Sequence, residues 1–268
     1  MKRFRRVAFA QTTHANVYID SCPSAIVALP AVLAAQDPFE IQVYEYATVP
    51  RGRWNLETHM NRVGRGTRLP EGPVARTESQ NHLTFELTRG ITDYVEMAGY
   101  LVTSTRQGVD GELVGWRVRP RIRLPENLFP VKVSLSAEVG FPKLAYEENE
   151  ITLELRPIIE RGWGRWLVDI NPVVGRALRG PEAAEGWDFE PGARIGYTLN
   201  PRVDLSLEYY GATGVLSDPL PASEQVHQFF PGADINLKDN VVWNVGVGFG
   251  ATNAGNTLVY KMRLGWMF

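Results

Sequence analysis

Four arginines, Arg117, Arg119, Arg121 and Arg123, stand at alternate positions of one short stretch of this 268-residue chain. In an extended strand residues i and i+2 share a face, so all four project the same way. Lys132 and Arg156 follow on the next two candidate strands, and Asp169, Asp188, Glu190, Asp204 and Glu208 form an acidic counterpart later in the chain. Guanidinium groups this close repel strongly when removed from water. They need solvent, carboxylate partners such as Glu96, Glu138 or Glu154, or an anionic ligand. Two chemistries follow: a charged wall that orients polar or anionic solutes, or a packed network of arginine–carboxylate pairs.

Catalysis has less to work with. A nucleophilic site needs Ser, His and an orienting acid within reach. The chain has four histidines and no G-x-S-x-G motif. His14 lies near the start, His59 and His82 alternate with Glu57 and Glu86, and His227 follows a loop that holds Ser217 and Ser223. No enzyme is expected, and a hydrolase is the least favoured alternative. His59 and His82 beside Glu57 and Glu86 offer donors for a metal, but such side chains are more often simply solvated or hydrogen-bonded, so no metal site and no cofactor are expected. Gly246, Gly248 and Gly250 recur at period two, which lowers bulk on one strand face and does not make a phosphate loop. Cys22 is the single cysteine, so no internal disulfide can form.

The elements that carry these residues are strands. Leu83, Phe85 and Leu87 alternate with His82, Thr84, Glu86 and Thr88; Val114, Trp116, Val118 and Ile122 alternate with the arginines; Val133, Leu135, Ala137 and Val139 alternate with Lys132, Ser134, Ser136 and Glu138. The same pattern recurs from Trp54 to Phe268. Alternation at 180° per residue argues for strands with one apolar face. Runs of about ten residues suit a tilted strand that crosses a bilayer better than a soluble strand of five or six. Trp54, Trp116, Trp166, Trp187, Tyr209, Trp243 and Trp266 lie near strand ends on the apolar side, where interfacial girdles belong. Pro120, Pro157, Pro172 and Pro191 fall inside the runs, and each removes a ladder donor.

Turn lengths alternate. Short connections (Arg89-Gly90, Arg161 to Gly164, Leu199 to Arg202, Lys238 to Asn240, with a longer Leu124 to Pro130) interleave with longer ones: Val63 to Ser79, Gln107 to Gly111, Pro142 to Asn149, Gly175 to Glu185 and Thr213 to Glu224. Asn253 to Gly255 is a short exception. Membrane barrels place short turns on the periplasmic side and longer loops outside. The expectation is an all-β, transmembrane up-and-down antiparallel β-barrel of about 12 strands over residues 37–268, with the lipid bilayer as its first partner. Residues 40–47 form an extra strand-like piece with no evident place.

The first 36 residues differ from the rest. A basic start, Met1 to Arg6, precedes an apolar run from Ala25 to Ala35, with cleavage expected near Ala34 to Gln36. These are the parts of a secretory signal peptide. The net charge of -2 gives no reason to expect nucleic acid as a partner.

The last strand ends with Tyr260, Met262, Leu264, Trp266 and Phe268 at every second position. A terminal phenylalanine in that pattern resembles the insertion signal by which outer-membrane barrels engage the assembly machinery. The segments Gly52 to Glu57, Leu87 to Asp93 and Ser206 to Gly211 resemble a group of outer-membrane β-barrels of the transporter type, grouped with the meta-pathway phenol-degradation barrel proteins. That resemblance spans the chain from about Asp37 and rests on short, mostly structural motifs. It implies an outer-membrane location and a channel or transporter for small solutes through a charged lumen, and it names no solute. A structural barrel with a packed lumen is the alternative.

Overall fold

A computed structural model describes residues 37–268. The expected signal peptide, residues 1–36, lies outside the described residues. Twelve strands follow in order: β1 (Trp54–Arg65), β2 (Asn81–Gly90), β3 (Val95–Arg106), β4 (Val109–Arg123), β5 (Lys132–Pro142), β6 (Ile151–Trp163), β7 (Trp166–Arg179), β8 (Asp188–Asn200), β9 (Val203–Ala212), β10 (Val226–Lys238), β11 (Val241–Gly250) and β12 (Leu258–Met267). Each pairs antiparallel with its sequence neighbours, and β1 pairs with β12, so the sheet closes into a barrel. At the seam Asn55 faces Met267 and Val63 faces Val259. The Trp54 N–H donates to the Phe268 carbonyl at 2.9 Å, and the Phe268 N–H donates back to the Trp54 carbonyl at 2.8 Å. Closure leaves no strand edge, which is what a sheet in hydrocarbon requires.

The apolar face of every strand points outward. Phe85, Leu101, Trp116, Leu135, Ile170, Leu205, Leu207, Phe249 and Leu264 are all exposed, Leu101 at 55%. A belt of this extent on a closed barrel is a lipid-facing surface. Trp54, Trp166, Tyr197, Trp243 and Trp266 lie toward the end that carries both termini of the ring, where strands β6 and β7 are joined by two residues. Toward the other end Trp116 stacks on Phe141, with ring centroids 3.9 Å apart, and Tyr209 packs on Phe229 at 5.4 Å. These are the two interfacial girdles.

Proline effects are local. Pro120, Pro157, Pro172 and Pro191 stand at outward positions of their strands. The β4–β5 register is unbroken up to Val118↔Val139 and resumes at Arg121↔Ser136. The β6–β7 register skips from Leu155↔Val174 to Ile159↔Ile170. The ladder opens where the donor is missing.

Three expectations need correction or completion. The loop read as Gln107 to Gly111 is only the two-residue turn Gln107-Gly108, because β4 begins at Val109. The connection read as Asn253 to Gly255 runs instead from Ala251 to Thr257, in keeping with the longer loops at that end. Val114 is not on the lipid face. A register shift between Val102↔Gly115 and Thr103↔Leu113 leaves Val114 unpaired in the β3–β4 ladder and turns it inward, where it packs with Phe39, Ala98, Tyr100 and Val102. A bulge of this kind flips a face at the point where it occurs.

The strand-like piece that had no place runs through the lumen. Residues 37–50 belong to no strand: a turn at Asp37 to Glu40 leads into a stretch without regular structure, and together they pass from the long-loop end at Pro38 to the short-turn end at Pro50. Ile41 and Val43 form an apolar cluster with Tyr210, Phe230 and Val259 on the inner wall. Gly248 makes room for this: a Cβ there would overlap the Phe230 ring.

Candidate functional site

An extended segment without strand partners must still satisfy its backbone. Here inward side chains of the wall do so. The N–H of Tyr44 donates to Asn171 Oδ1 at 2.7 Å, that of Tyr46 to Glu160 Oε2 at 2.9 Å, and that of Val49 to Glu96 Oε2 at 2.6 Å. The Pro38 carbonyl accepts from Asn61 Nδ2 and His82 Nδ1, each at 3.0 Å. The Ile41 carbonyl accepts from Lys261 at 3.4 Å, that of Gln42 from Arg156 at 3.3 Å, and that of Tyr44 from Asn171 Nδ2 at 3.0 Å. Arg121 donates to the carbonyls of Glu45 and Ala47.

The arginine wall closes on this segment. Arg117 pairs with Asp37, and with Glu138 at 3.1 Å. Arg119, only 3% exposed, meets Glu86 at 2.5 Å and Glu96 at 3.1 Å, and donates to the Tyr100 hydroxyl at 2.6 Å. Arg121 lies 3.0 Å from Glu96, and Arg156 pairs with Glu154 at 2.8 Å. The Tyr44 ring sits among three guanidinium groups, 4.7 Å from Arg119, 5.4 Å from Arg121 and 4.5 Å from Arg156. Cations over an aromatic face are attracted by the ring quadrupole. The Tyr44 hydroxyl donates to Glu40 and touches the Tyr100 hydroxyl at 2.9 Å.

The other expected residues are more dispersed. Arg123 and Lys132 stand at the short-turn rim, where both approach Glu126 and the Tyr46 ring. Glu208 pairs with Lys261 at 2.5 Å, and Asp204 accepts from Thr198 at 2.6 Å. Glu190 shares a small pocket with Arg156 beside the segment. Asp188 lies at the long-loop end, bridged through its backbone to Val215.

Arg194 and Arg263 were not singled out from the sequence, yet both anchor the acidic side. Arg194 meets Asp234 at 2.8 Å, Asp169 at 3.4 Å and Glu45 at 2.8 Å; Arg263 meets Glu57 at 2.7 Å. Their inward parity was visible in the sequence, but their partners come from three strands and the lumen segment.

Below the segment, toward the short-turn end, a cavity of about 470 Å³ remains. Its lining includes Glu45, Thr48 and Val49 of the segment and Asp239 and Asn240 of the β10–β11 turn. Eight carboxylates and five cationic side chains border it. This arrangement can hold water and small polar solutes at one mouth, while the segment blocks the path to the other.

No family model matches the chain, and no curated protein matches it. Among solved structures it is similar to the COG4313 outer membrane channel from Pseudomonas putida F1, at 12% identity and TM-score 0.59, over 85% of this chain and 100% of that one. It is also similar to the KdgM porin, solved in complex with disordered oligogalacturonate, at 9% identity and TM-score 0.53, over 80% of this chain and 99% of that one. The NanC porin matches at 6% identity and TM-score 0.50, over 80% and 98%. Identities this low carry the fold alone. The closed ring of twelve strands and its lipid-facing belt make the chain a transmembrane β-barrel, with the fold that these outer-membrane channels and porins share.

Proposed function

We propose that the barrel is a channel for small polar or anionic solutes, closed at rest by its own residues 37–50. The observation that carries this reading is the nature of the obstruction. The lumen is filled by a separate stretch of chain that joins no ladder and is held by side-chain bonds, with a cavity of about 470 Å³ beneath it. Removing the occupant exchanges those bonds with water and gives up the apolar contacts of Phe39, Ile41 and Val43, without breaking a ladder.

Displacement also shifts the electrostatics of the path toward positive. With the segment leave Asp37, Glu40 and Glu45, and Arg117, Arg121 and Arg156 lose partners that the segment supplied. Basic groups facing a wet lumen attract anions. Arg117, Arg119, Arg121, Arg123, Lys132, Arg156, Asp188, Glu190, Asp204 and Glu208 then border the solute pathway, with Arg119 still committed to Glu86 and Glu96. The resemblance to transporter-type barrels grouped with the meta-pathway proteins fits this reading, as do the channel and porin names of the structural neighbours.

Planar-bilayer recording tests it. The full barrel should be closed most of the time, and a variant that lacks residues 37–49 should conduct steadily with a reversal potential shifted toward anions. Absence of conductance in both proteins would leave a structural barrel with a packed lumen. That second reading is favoured by one observation, the complete pairing of Arg119 with buried carboxylates.

A further inference from the structure

His59 of β1 and Glu86 of β2 are buried side by side on the inner wall and are left incomplete. Among the described residues His59 Nε2 and Glu86 Oε2 have no hydrogen-bond partner. They lie 3.6 Å apart, and the Glu57 carboxylate is 3.7 Å from the same nitrogen. A hydrogen bond would be near 2.9 Å. Two groups bridged by one water, each at about 2.8 Å from it, would stand roughly 4.5 Å apart. Two ligands of a tetrahedral zinc, at about 2.0–2.1 Å from the metal, stand about 3.3 Å apart. The observed spacing suits the cation best. Glu40, from the lumen segment, supplies a third donor, and the ligand atoms of Glu40, His59 and Glu86 all lie within 4.8 Å of one another.

We propose that Glu40, His59 and Glu86 bind one divalent transition cation of the zinc class, which fastens the lumen segment to the barrel wall. One imidazole nitrogen and two carboxylates form a borderline donor set that suits zinc. Two carboxylates also neutralise the ion, which a buried site needs. Glu86 is already oriented from outside the site: its other oxygen accepts from Thr88 at 2.8 Å and meets Arg119 at 2.5 Å. Partners behind a ligand hold it in place for the metal. The way in is the cavity at the short-turn end, which Glu57 and Glu86 border. His82 is the internal contrast. Both its ring nitrogens are occupied, by the Pro38 carbonyl at 3.0 Å and Gln80 Oε1 at 2.8 Å, so it offers no ligand. The proposal stands whether or not the barrel conducts, because binding is read directly.

The test is zinc titration of the refolded full barrel by calorimetry, with metal analysis after gel filtration. One ion per chain is expected. His59→Gln and Glu40→Gln should each weaken binding at least tenfold, whereas His227→Gln, at a histidine that bonds only the Tyr209 hydroxyl among the described residues, should leave it unchanged. Heat-modifiability on gels shows that each variant is folded before it is titrated. A folded wild-type barrel that takes up no zinc at millimolar concentration would overturn the site. So would zinc binding of equal affinity in the His59→Gln and wild-type proteins. If binding holds but conductance of the full barrel is the same with zinc and with chelator, the site is kept and the fastening role is lost.

Discussion

Arg119→Met measures how much of the lumen is a packed ion network. Arg119 is buried against Glu86, Glu96 and the Tyr100 hydroxyl. When it is removed, Glu96 keeps Arg121 at 3.0 Å and the Val49 N–H at 2.6 Å. Glu86 keeps the Thr88 hydroxyl at 2.8 Å and the His59 ring nitrogen at 3.6 Å, and no guanidinium. The charge left short is therefore Glu86. Breaking a buried pair from one side costs about 3–5 kcal/mol. Removing both charges, in Arg119→Met with Glu86→Gln, should recover much of that, with a coupling of about 2–3 kcal/mol between the two sites. The assay is a urea titration of the barrel in phospholipid vesicles, followed by tryptophan fluorescence, with chelator present because Glu86 also serves the proposed cation site. A single variant within about 1 kcal/mol of wild type would refute the reasoning, since a solvated arginine wall would lose little stability on truncation.

Four further outcomes are expected. Asn171→Ala deletes two bonds to the Tyr44 backbone, each worth about 0.5–1.5 kcal/mol net. Channel openings in planar bilayers should become roughly five-fold or more as frequent, and an unchanged open probability would show that this anchor does not hold the segment. Gly248→Ala displaces the Phe230 ring from its place in the cluster with Ile41 and Val43 and should cost about 1–3 kcal/mol in the same urea titration; a neutral effect would mean that the apolar cluster is loose. Val118→Arg places a charge on the lipid face and should cost about 2–4 kcal/mol, whereas Arg123→Ala at the rim should stay within about 1 kcal/mol; the reverse order on unboiled gels would contradict the assigned faces. Deleting Phe268 should lower the folded fraction in cells more than in detergent refolding, because the proposed insertion signal acts through assembly; equal losses would make its role purely the seam bonds to Trp54.

The faces of the barrel were legible because they rest on a period of two with a sharp division between apolar and polar residues. Even the inward direction of Arg119 and Glu86 could be read this way. Their pairing could not, since partners across a lumen depend on strand tilt and on what lies between the walls. Residues 40–47 were opaque for a physical reason: Glu40, Gln42, Tyr44 and Tyr46 mix polar and aromatic groups and signal no ladder. One clue was available. Tyr210, Phe230 and Val259 are bulky apolar residues at lumen positions of three strands, and a wholly wet lumen would not favour them. Val114 was misplaced because a bulge leaves no mark in the alternation on either side of it.

Seen as binding, residues 37–50 are a peptide ligand and the wall of the barrel is its receptor. Most of the bonds that hold the peptide go to its carbonyls and N–H groups, so the receptor reads an extended backbone more than a side-chain sequence. The tether at Pro50 holds the ligand at an effective concentration on the order of millimolar or above. Any solute that uses the same arginines competes with that local supply. At low external concentration the tethered ligand wins. Traffic through the barrel would then rise with solute concentration as in a displacement assay, and the strength of each backbone bond would set the threshold at which the path clears.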